Sequence, residues 1–189
     1  MKKYSLLGFL LCGLFLSVSS LGAATLEIPI AEVTKLSPPD TLQAGRFLLR
    51  FPLPGELDGA TIDFAQLEIT LGIEQAENRP VTLECCALVT DWDVETVSWA
   101  EPWSNPGGDL SDSNKTVFTF YSGGKVFCRA DITYLLQAWA NGEANCGLIL
   151  KAVNDQNLSL SRLDTSVLPP GAKARVRVWY TSREAEGQP

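Results

Sequence analysis

Histidine is absent from this chain of 189 residues. Its absence excludes Ser-His-Asp and Cys-His catalytic machinery and every metal site that uses a histidine ligand. Basic residues are also few, with 15 lysines and arginines against 22 aspartates and glutamates, a net charge of −7. Nucleic acids and anionic membrane surfaces are bound through basic patches, so the sequence predicts neither as a partner.

Helical periodicity is scarce as well. Most of the chain reads as short alternating strands separated by Gly, Pro, Asn and Asp. This pattern predicts an all-β fold, a single-domain β-sandwich of jelly-roll type with one short helix, over residues 25–180. Loops are expected at 35–44 and 102–115. Strands are expected at 25–30, 46–51, 64–73, 81–90, 116–121, 126–131, 147–153, 158–160 and 174–180.

The first 24 residues have the pattern of a secretory signal peptide. Lys2 and Lys3 precede an apolar run over 6–16, and the segment ends in Ala23-Ala24. An uncleaved membrane anchor is the alternative, because the apolar stretch approaches the length that spans a bilayer. Loss of the two lysines changes the net charge from −7 to −9. We expect a secreted or periplasmic protein that ends in a polar tail, 181–189.

Four cysteines remain after the signal peptide: Cys85, Cys86, Cys128 and Cys146. An even number in an exported chain permits two disulfides. Adjacent strand residues point to opposite faces, so at most one of Cys85 and Cys86 is expected to pair with Cys128 or Cys146. The alternative is that all four are small buried apolar residues.

The segment 131–150 is the most specific of the chain, and its first part, 131–141, is the only good helix candidate. Asp131 or Thr133 caps its start, and Asn141-Gly142 ends it, because both residues tolerate positive φ. Asn145 is then expected to tie the following loop, and Gly147 to open a buried strand. The apolar residues recur at helical spacing and predict one buried stripe: Ile132, Leu135, Leu136 and Trp139.

This segment resembles the signature of the DNRLRE (disaggregatase-related) domain family, which overlaps a carbohydrate-binding module family. The resemblance extends in order over about residues 41–180, although the motif that names the family is absent. It implies a jelly-roll β-sandwich and, from some members, binding of acidic polysaccharides such as alginate. The other stretches that carry it are 46–51, 59–62, 65–69, Trp92 with 96–99, and 175–180.

Five tryptophans are the obvious candidates for a surface on which sugar rings stack. Four of them fall on predicted strands, turns or the helix stripe, and we expect these to be core residues: Trp92, Trp99, Trp139 and Trp179. Trp103 lies in the predicted loop and is the candidate ligand-binding residue, with Tyr121 and Tyr134 extending the patch.

Asp109 and Asp112 are candidate calcium ligands, since calcium prefers carboxylate oxygens. The loop lacks the spacing of a twelve-residue calcium loop, and the sequence favours a solvated polar loop over a metal site. No other cofactor is expected. We therefore predict an exported, non-catalytic structural or adhesion module whose partners are a polysaccharide or other cell-surface proteins. A stand-alone carbohydrate-binding module is the alternative, ahead of a polysaccharide lyase or hydrolase.

Overall fold

The structure is a computed structural model, and it describes residues 23–39, 45–73, 80–121, 124–153, 160–164 and 174–182. Residues 1–22 of the predicted signal peptide (1–24) and 183–189 of the predicted tail (181–189) lie outside the described residues, whereas Ala23, Ala24 and Thr181 lie in strands. The elements of the described residues are β1 Ala23–Pro29, β2 Glu32–Leu36, β3 Arg46–Arg50, a 3-10 turn Gly55–Leu57, β4 Thr61–Ile73, β5 Pro80–Leu88, β6 Leu110–Tyr121, β7 Gly124–Asp131, α1 Thr133–Ala140, β8 Leu148–Ala152, β9 Leu160–Asp164 and β10 Arg175–Thr181.

The strands form two five-stranded antiparallel sheets. Sheet A has the order β1-β10-β4-β7, with β9 also paired to β4, and sheet B has the order β2-β3-β8-β5-β6. Some strands that are neighbours in sequence pair with each other, such as β2 with β3. Others lie in different sheets, such as β3 and β4, so the chain crosses repeatedly between the sheets. An all-β sandwich with one short helix is therefore confirmed.

The main core lies between the two sheets and is formed by alternate residues of most of the described strands. In β5 these are Val81, Leu83, Cys85 and Ala87, the face that the sequence predicts. Val89 was expected on the same face, but β5 ends at Leu88 and the Val89 side chain is exposed. Opposite them lie alternate residues of β4: Ala65, Leu67, Ile69 and Leu71.

Helix α1 closes the end of sheet A where β7 does not reach. β7 pairs with β4 only from Gln66 onward, which leaves the first residues of β4 without a strand on that side. Gln137 takes the place of a strand: its Oε1 accepts a hydrogen bond from Ile62 N–H (2.8 Å), and its Nε2 donates to Ala60 O (3.0 Å). Thr133 Oγ1 accepts from Ala65 N–H. The expected stripe of the helix is buried in the main core.

Several strand boundaries differ from the sequence prediction, and two differences are the largest. Strand β2 begins at Glu32, in a stretch whose polar residues carry little strand signal, and covers the first residues of a predicted loop. Strand β6 begins at Leu110 rather than Thr116, because Leu110 and Lys115 are paired with Leu88 and Cys86 of β5. Pairing with a strong neighbouring strand has thus outweighed the weak local propensity of this segment.

The outward face of sheet B carries a buried apolar cluster, whereas charged side chains occupy the centre of the outward face of sheet A. Residues 89–109, which we term the covering loop, fold over this face and bury a second hydrophobic cluster. The sheet contributes the outward residues of four strands, and the covering loop contributes two tryptophans. The buried members of the cluster are Leu36, Leu48, Cys86, Leu88, Trp92, Trp103 and Ile149.

Candidate binding surfaces

Trp103 is buried, so the structure does not make it part of an exposed platform. Its side chain is 7% exposed within the second cluster, and its Nε1 donates to Ser98 O at 2.9 Å. The sequence placed Trp103 correctly in a loop, but it could not show that the loop lies on an apolar sheet face. Trp92 is also buried, and its Nε1 donates to Cys146 O at 2.9 Å.

Arg50 fastens the start of the covering loop to sheet B. Its guanidinium lies over the Trp92 ring, 4.5 Å from the ring centroid. Its Nη2 donates hydrogen bonds to Asp91 Oδ1 (2.6 Å) and to Trp92 O (2.5 Å). Arg46 acts in the same way further along, with its guanidinium 4.7 Å from the centroid of Trp99. These two arginines therefore hold the covering loop against sheet B and are not free to bind a ligand.

Asp109 closes the covering loop at its other end. Its carboxylate accepts hydrogen bonds from Ser104 N–H (2.8 Å), Asn105 N–H (2.9 Å) and Thr90 Oγ1–H (2.8 Å). The Ser104 N–H above all, with the other two donors, lowers the pKa of Asp109 against the effect of burial. The carboxylate predicted as a calcium ligand is thus occupied by the chain itself.

Asp112, the other candidate calcium ligand, is exposed on β6, where no hydrogen bond joins it to Asp109. In the described part of the chain, no three His, Cys, Asp or Glu side chains are grouped closely enough to hold a metal ion. The calcium site predicted from Asp109 and Asp112 therefore stays a prediction, and the Asp109 carboxylate already accepts hydrogen bonds from three donors of the chain.

Tyr121 and Tyr134 are exposed, as a ligand-binding role requires, with 65% and 67% of their surface accessible. They do not form a patch with Trp103. Tyr121 pairs with Pro80 at the far end of β6 from the covering loop. Tyr134 lies in the first turn of α1, where a groove of about 370 Å³ opens between the helix and β6; Lys115 and Thr116 form its other wall.

The four cysteines of the described residues are free thiols, so the predicted disulfides are not formed among them. Cys85 and Cys86 point to opposite faces, as expected for adjacent strand residues: Cys85 lies in the main core and Cys86 in the second cluster. Burial raises the pKa of Cys86 to about 11 and that of Cys128 to about 12. Three of the thiols are buried and Cys146 is partly buried, which agrees with the alternative that these are small apolar packing residues.

The outward face of sheet A carries a cluster of opposite charges, which we term the arginine face: Glu27, Glu68, Arg129, Arg175 and Arg177. Glu68 lies at its centre and is 2% exposed. Arg175 and Arg129 flank it on the neighbouring strands, with their Nε atoms 2.8 and 3.4 Å from its carboxylate oxygens. Arg177 Nη1 lies 3.8 Å from Glu68 Oε1.

Glu27 of β1 completes the arginine face. Its carboxylate oxygens lie 3.0 Å from Arg175 Nη1 and 3.4 Å from Arg177 Nε. Three guanidinium groups therefore share two carboxylates, and one of these carboxylates is covered. The Arg129 side chain is 59% exposed. The accessible part of this face is consequently richer in guanidinium than in carboxylate groups, although the chain as a whole is acidic.

Partly exposed aromatic rings border the arginine face. Phe64 and Trp179 lie side by side on neighbouring strands, with their ring centroids 5.4 Å apart. The Arg177 guanidinium lies 5.4 Å from the Trp179 ring, and that of Arg129 lies 4.9 Å from the Phe127 ring. Trp179 was expected to be a core residue; the structure shows it partly exposed on the outward face, because Val176 and Val178 are the residues of β10 that point inward.

The arrangement suits recognition of a flat ligand with carboxylate groups. Guanidinium groups bind carboxylates in a planar, directed geometry, and the neighbouring rings offer apolar faces to a sugar. Sequence reasoning did not identify this surface. The alternation of Arg175 and Arg177 with inward valines was a visible signal, but the partner Glu68 is more than a hundred residues away in the chain.

No helix within the described residues is long and apolar enough to cross a membrane. No protein-family model matches the chain, and no curated protein is significantly similar to it. The resemblance to the DNRLRE family therefore stays a prediction.

Proposed function

We propose that the chain is an exported, non-catalytic adhesion module of extracellular or cell-surface type, and that its ligand is an acidic polysaccharide. The observation that carries the proposal is the arginine face, which places three guanidinium groups beside aromatic rings on one sheet. This surface is built on paired strands, so its groups are held in place before a ligand arrives.

The charge of the whole chain would by itself oppose a polyanion, since its net value is −7. The arginine face provides a local exception. Arg129 is the most exposed of the three guanidinium groups, so a ligand carboxylate can approach it from solvent while it stays beside Glu68. Binding is then expected to weaken as salt increases, because exposed charge pairs are screened.

Aromatic contact distinguishes a sugar from a simple polyanion. Trp179 and Phe64 present partly exposed ring faces next to Arg177. A uronic acid unit can place its carboxylate on a guanidinium group and its ring carbons on an aromatic face. A sulfated or phosphorylated polymer without such apolar faces would use only the first contact.

The test is isothermal titration of the exported protein with alginate oligosaccharides, and with neutral xylan oligosaccharides for comparison. We expect binding of alginate alone. Arg129→Gln and Trp179→Ala should each weaken it about tenfold, the equivalent of about 1.4 kcal/mol for one charge-assisted or stacking contact. Lys35→Gln, which removes an exposed cation from sheet B, is the matched control and should bind like the parent.

Two results would overturn the proposal. One is that no acidic polysaccharide gives a heat of binding in the titration or a binding signal in a glycan array. The other is binding that Arg129→Gln and Trp179→Ala leave unchanged, since the ligand would then lie elsewhere on the molecule.

A further inference from the structure

Strand β6 is an edge strand of sheet B. Within the described residues it is hydrogen-bonded to β5 alone, and it contributes the last strand of the order β2-β3-β8-β5-β6. An unpaired strand edge offers a row of N–H and C=O groups to another strand. Its last seven residues, 115–121, are rich in β-branched and aromatic side chains, which favour strand pairing.

The direction of the backbone groups of β6 follows from the pairing of β5. Leu88 N–H donates to Gly147 O, and Thr82 O accepts from Val153 N–H, so the even-numbered residues of β5 face β8. The odd-numbered residues of β5 therefore face β6, where they pair with Phe118 and its even-numbered neighbours. The N–H and C=O groups of Lys115, Val117, Thr119 and Tyr121 consequently point away from the sheet.

The side chains along this edge are apolar and nearly free of charge. Val117 and Tyr121 are 54% and 65% exposed on the outward face. Phe118 and Phe120 lie on the other face, only partly buried, with their rings stacked 6.1 Å apart. The one charged residue, Lys115, has its ammonium 3.4 Å from the Glu84 carboxylate. In a chain with a net charge of −7, this strip is a surface on which two copies can meet without repulsion.

We propose that two copies of this chain associate through β6, pairing antiparallel about Phe118 to join their B sheets into one. This register brings Val117 opposite Thr119 of the second copy, and Lys115 opposite Tyr121 of the second copy. These are the residues whose N–H and C=O groups point outward, so each such pair exchanges two hydrogen bonds. The contact is self-complementary, as a two-fold axis requires.

The groove between α1 and β6 supports the second copy as occupant. It opens beside Lys115 and Thr116, at the level to which the pairing brings Tyr121 of the second copy. Tyr134 lines the same groove and is 67% exposed. Each copy thus supplies the exposed Tyr121 and a groove beside which Tyr121 of the other copy comes to lie. The arginine face lies on sheet A and stays accessible in such a dimer.

The experiment is sedimentation velocity of the exported protein over a range of concentrations, with Thr119→Pro as the test variant. Thr119 N–H points away from β5, so proline removes no hydrogen bond of the sheet but blocks the new pairing. Thr119→Val is the matched control, because it also loses the hydroxyl contact to Thr82 (2.9 Å) yet keeps the N–H. We expect a dimer for the parent and for Thr119→Val, and an increase of at least about tenfold in the dimer dissociation constant for Thr119→Pro.

Circular dichroism of Thr119→Pro must match that of the parent. If it does not, Val117→Lys replaces it, since Val117 is more than half exposed and a lysine there places an ammonium in the new interface without disturbing the core. A parent that stays monomeric at every concentration overturns the proposal, as does a dimer that the fold-preserving variant leaves intact. Polysaccharide titrations are independent of these results.

Discussion

The outward faces of the two sheets differ in kind, although both sheets share one core. Sheet A turns charged groups outward, and its arginine face meets solvent. Sheet B turns Leu48, Cys86 and Ile149 outward, and the covering loop buries them with two tryptophans. Strands that are buried on both faces need a second layer, whereas strands with one polar face do not. The comparison indicates that sheet B is the scaffold and sheet A the surface available to a ligand.

The largest expected difference in stability is between the loss of a buried tryptophan on the outer face of sheet B and the loss of a partly exposed one on sheet A. Trp92→Ala should lower the free energy of unfolding by about 3–5 kcal/mol, because it leaves a cavity in the second cluster and removes the ring beneath Arg50. Trp179→Ala removes a partly exposed ring and should cost less than about 1.5 kcal/mol. Urea denaturation followed by circular dichroism measures both; equal losses would contradict the assignment of a closed and an open face.

A smaller effect is expected inside the arginine face. Glu68→Gln removes the charge around which Arg129, Arg175 and Arg177 are arranged and should destabilise the fold by about 1.5–3 kcal/mol. Glu27→Gln, at a carboxylate whose side chain is 50% exposed, should cost less than about 1 kcal/mol. The same denaturation experiment compares them. Equal costs would show that Glu68 is not the organising carboxylate.

The smallest expected effect is the response of the covering loop to acid. Hydrogen bonds from Ser104 and its neighbours lower the pKa of Asp109 in the folded state below its unfolded value. The stabilisation is therefore complete above the unfolded pKa of about 4 and is lost as the pH falls through the lower folded value. We expect the tryptophan emission of the loop to shift to the red in acid before the far-ultraviolet circular dichroism changes.

Asp109→Asn is the matched variant for this acid transition. It cannot ionise, and its amide accepts hydrogen bonds through one oxygen only, so it should show the red-shifted emission already at neutral pH. A variant whose emission still follows the acid transition of the parent would place the responsible carboxylate elsewhere.

Much of the sandwich could be predicted from the sequence, because strand alternation and turn residues act locally. The loop after α1 is an example: Asn145 Nδ2 donates to Phe51 O (3.0 Å), and Gly147 adopts a φ of +92° in which a Cβ atom would lie 2.5 Å from Leu49 O. Asp131 Oδ1 accepts a hydrogen bond from Thr133 N–H (2.9 Å), but the N-cap residue of the helix is Ile132, which makes no side-chain cap hydrogen bond, so neither predicted cap residue occupies that position. The Asp131 contact joins residues close in sequence, and the φ of Gly147 depends on the conformational freedom of one residue. The hydrogen bond of Asn145 reaches Phe51, 94 residues away, and depends on the fold.

The two outward faces could not be predicted in the same way, since each depends on strand order. The arginine face exists because β10 and β7 flank β4 in a register that places Arg175 and Arg129 on either side of Glu68. The burial of Trp103 depends on the covering loop reaching Leu48 and Ile149. One signal was available: the continuous apolar runs 47–49 and 148–150 are typical of strands buried on both faces.

The most direct test of the central claim is a nuclear magnetic resonance titration of the protein with an alginate oligosaccharide. We predict that the shifting signals come from the outward residues of sheet A, including the Arg129 guanidinium and the Trp179 indole, while those of residues 89–109 stay in place. Shifts confined to the covering loop or to the Tyr134 groove, or no shifts at saturating ligand, would contradict the claim that sheet A presents the binding surface.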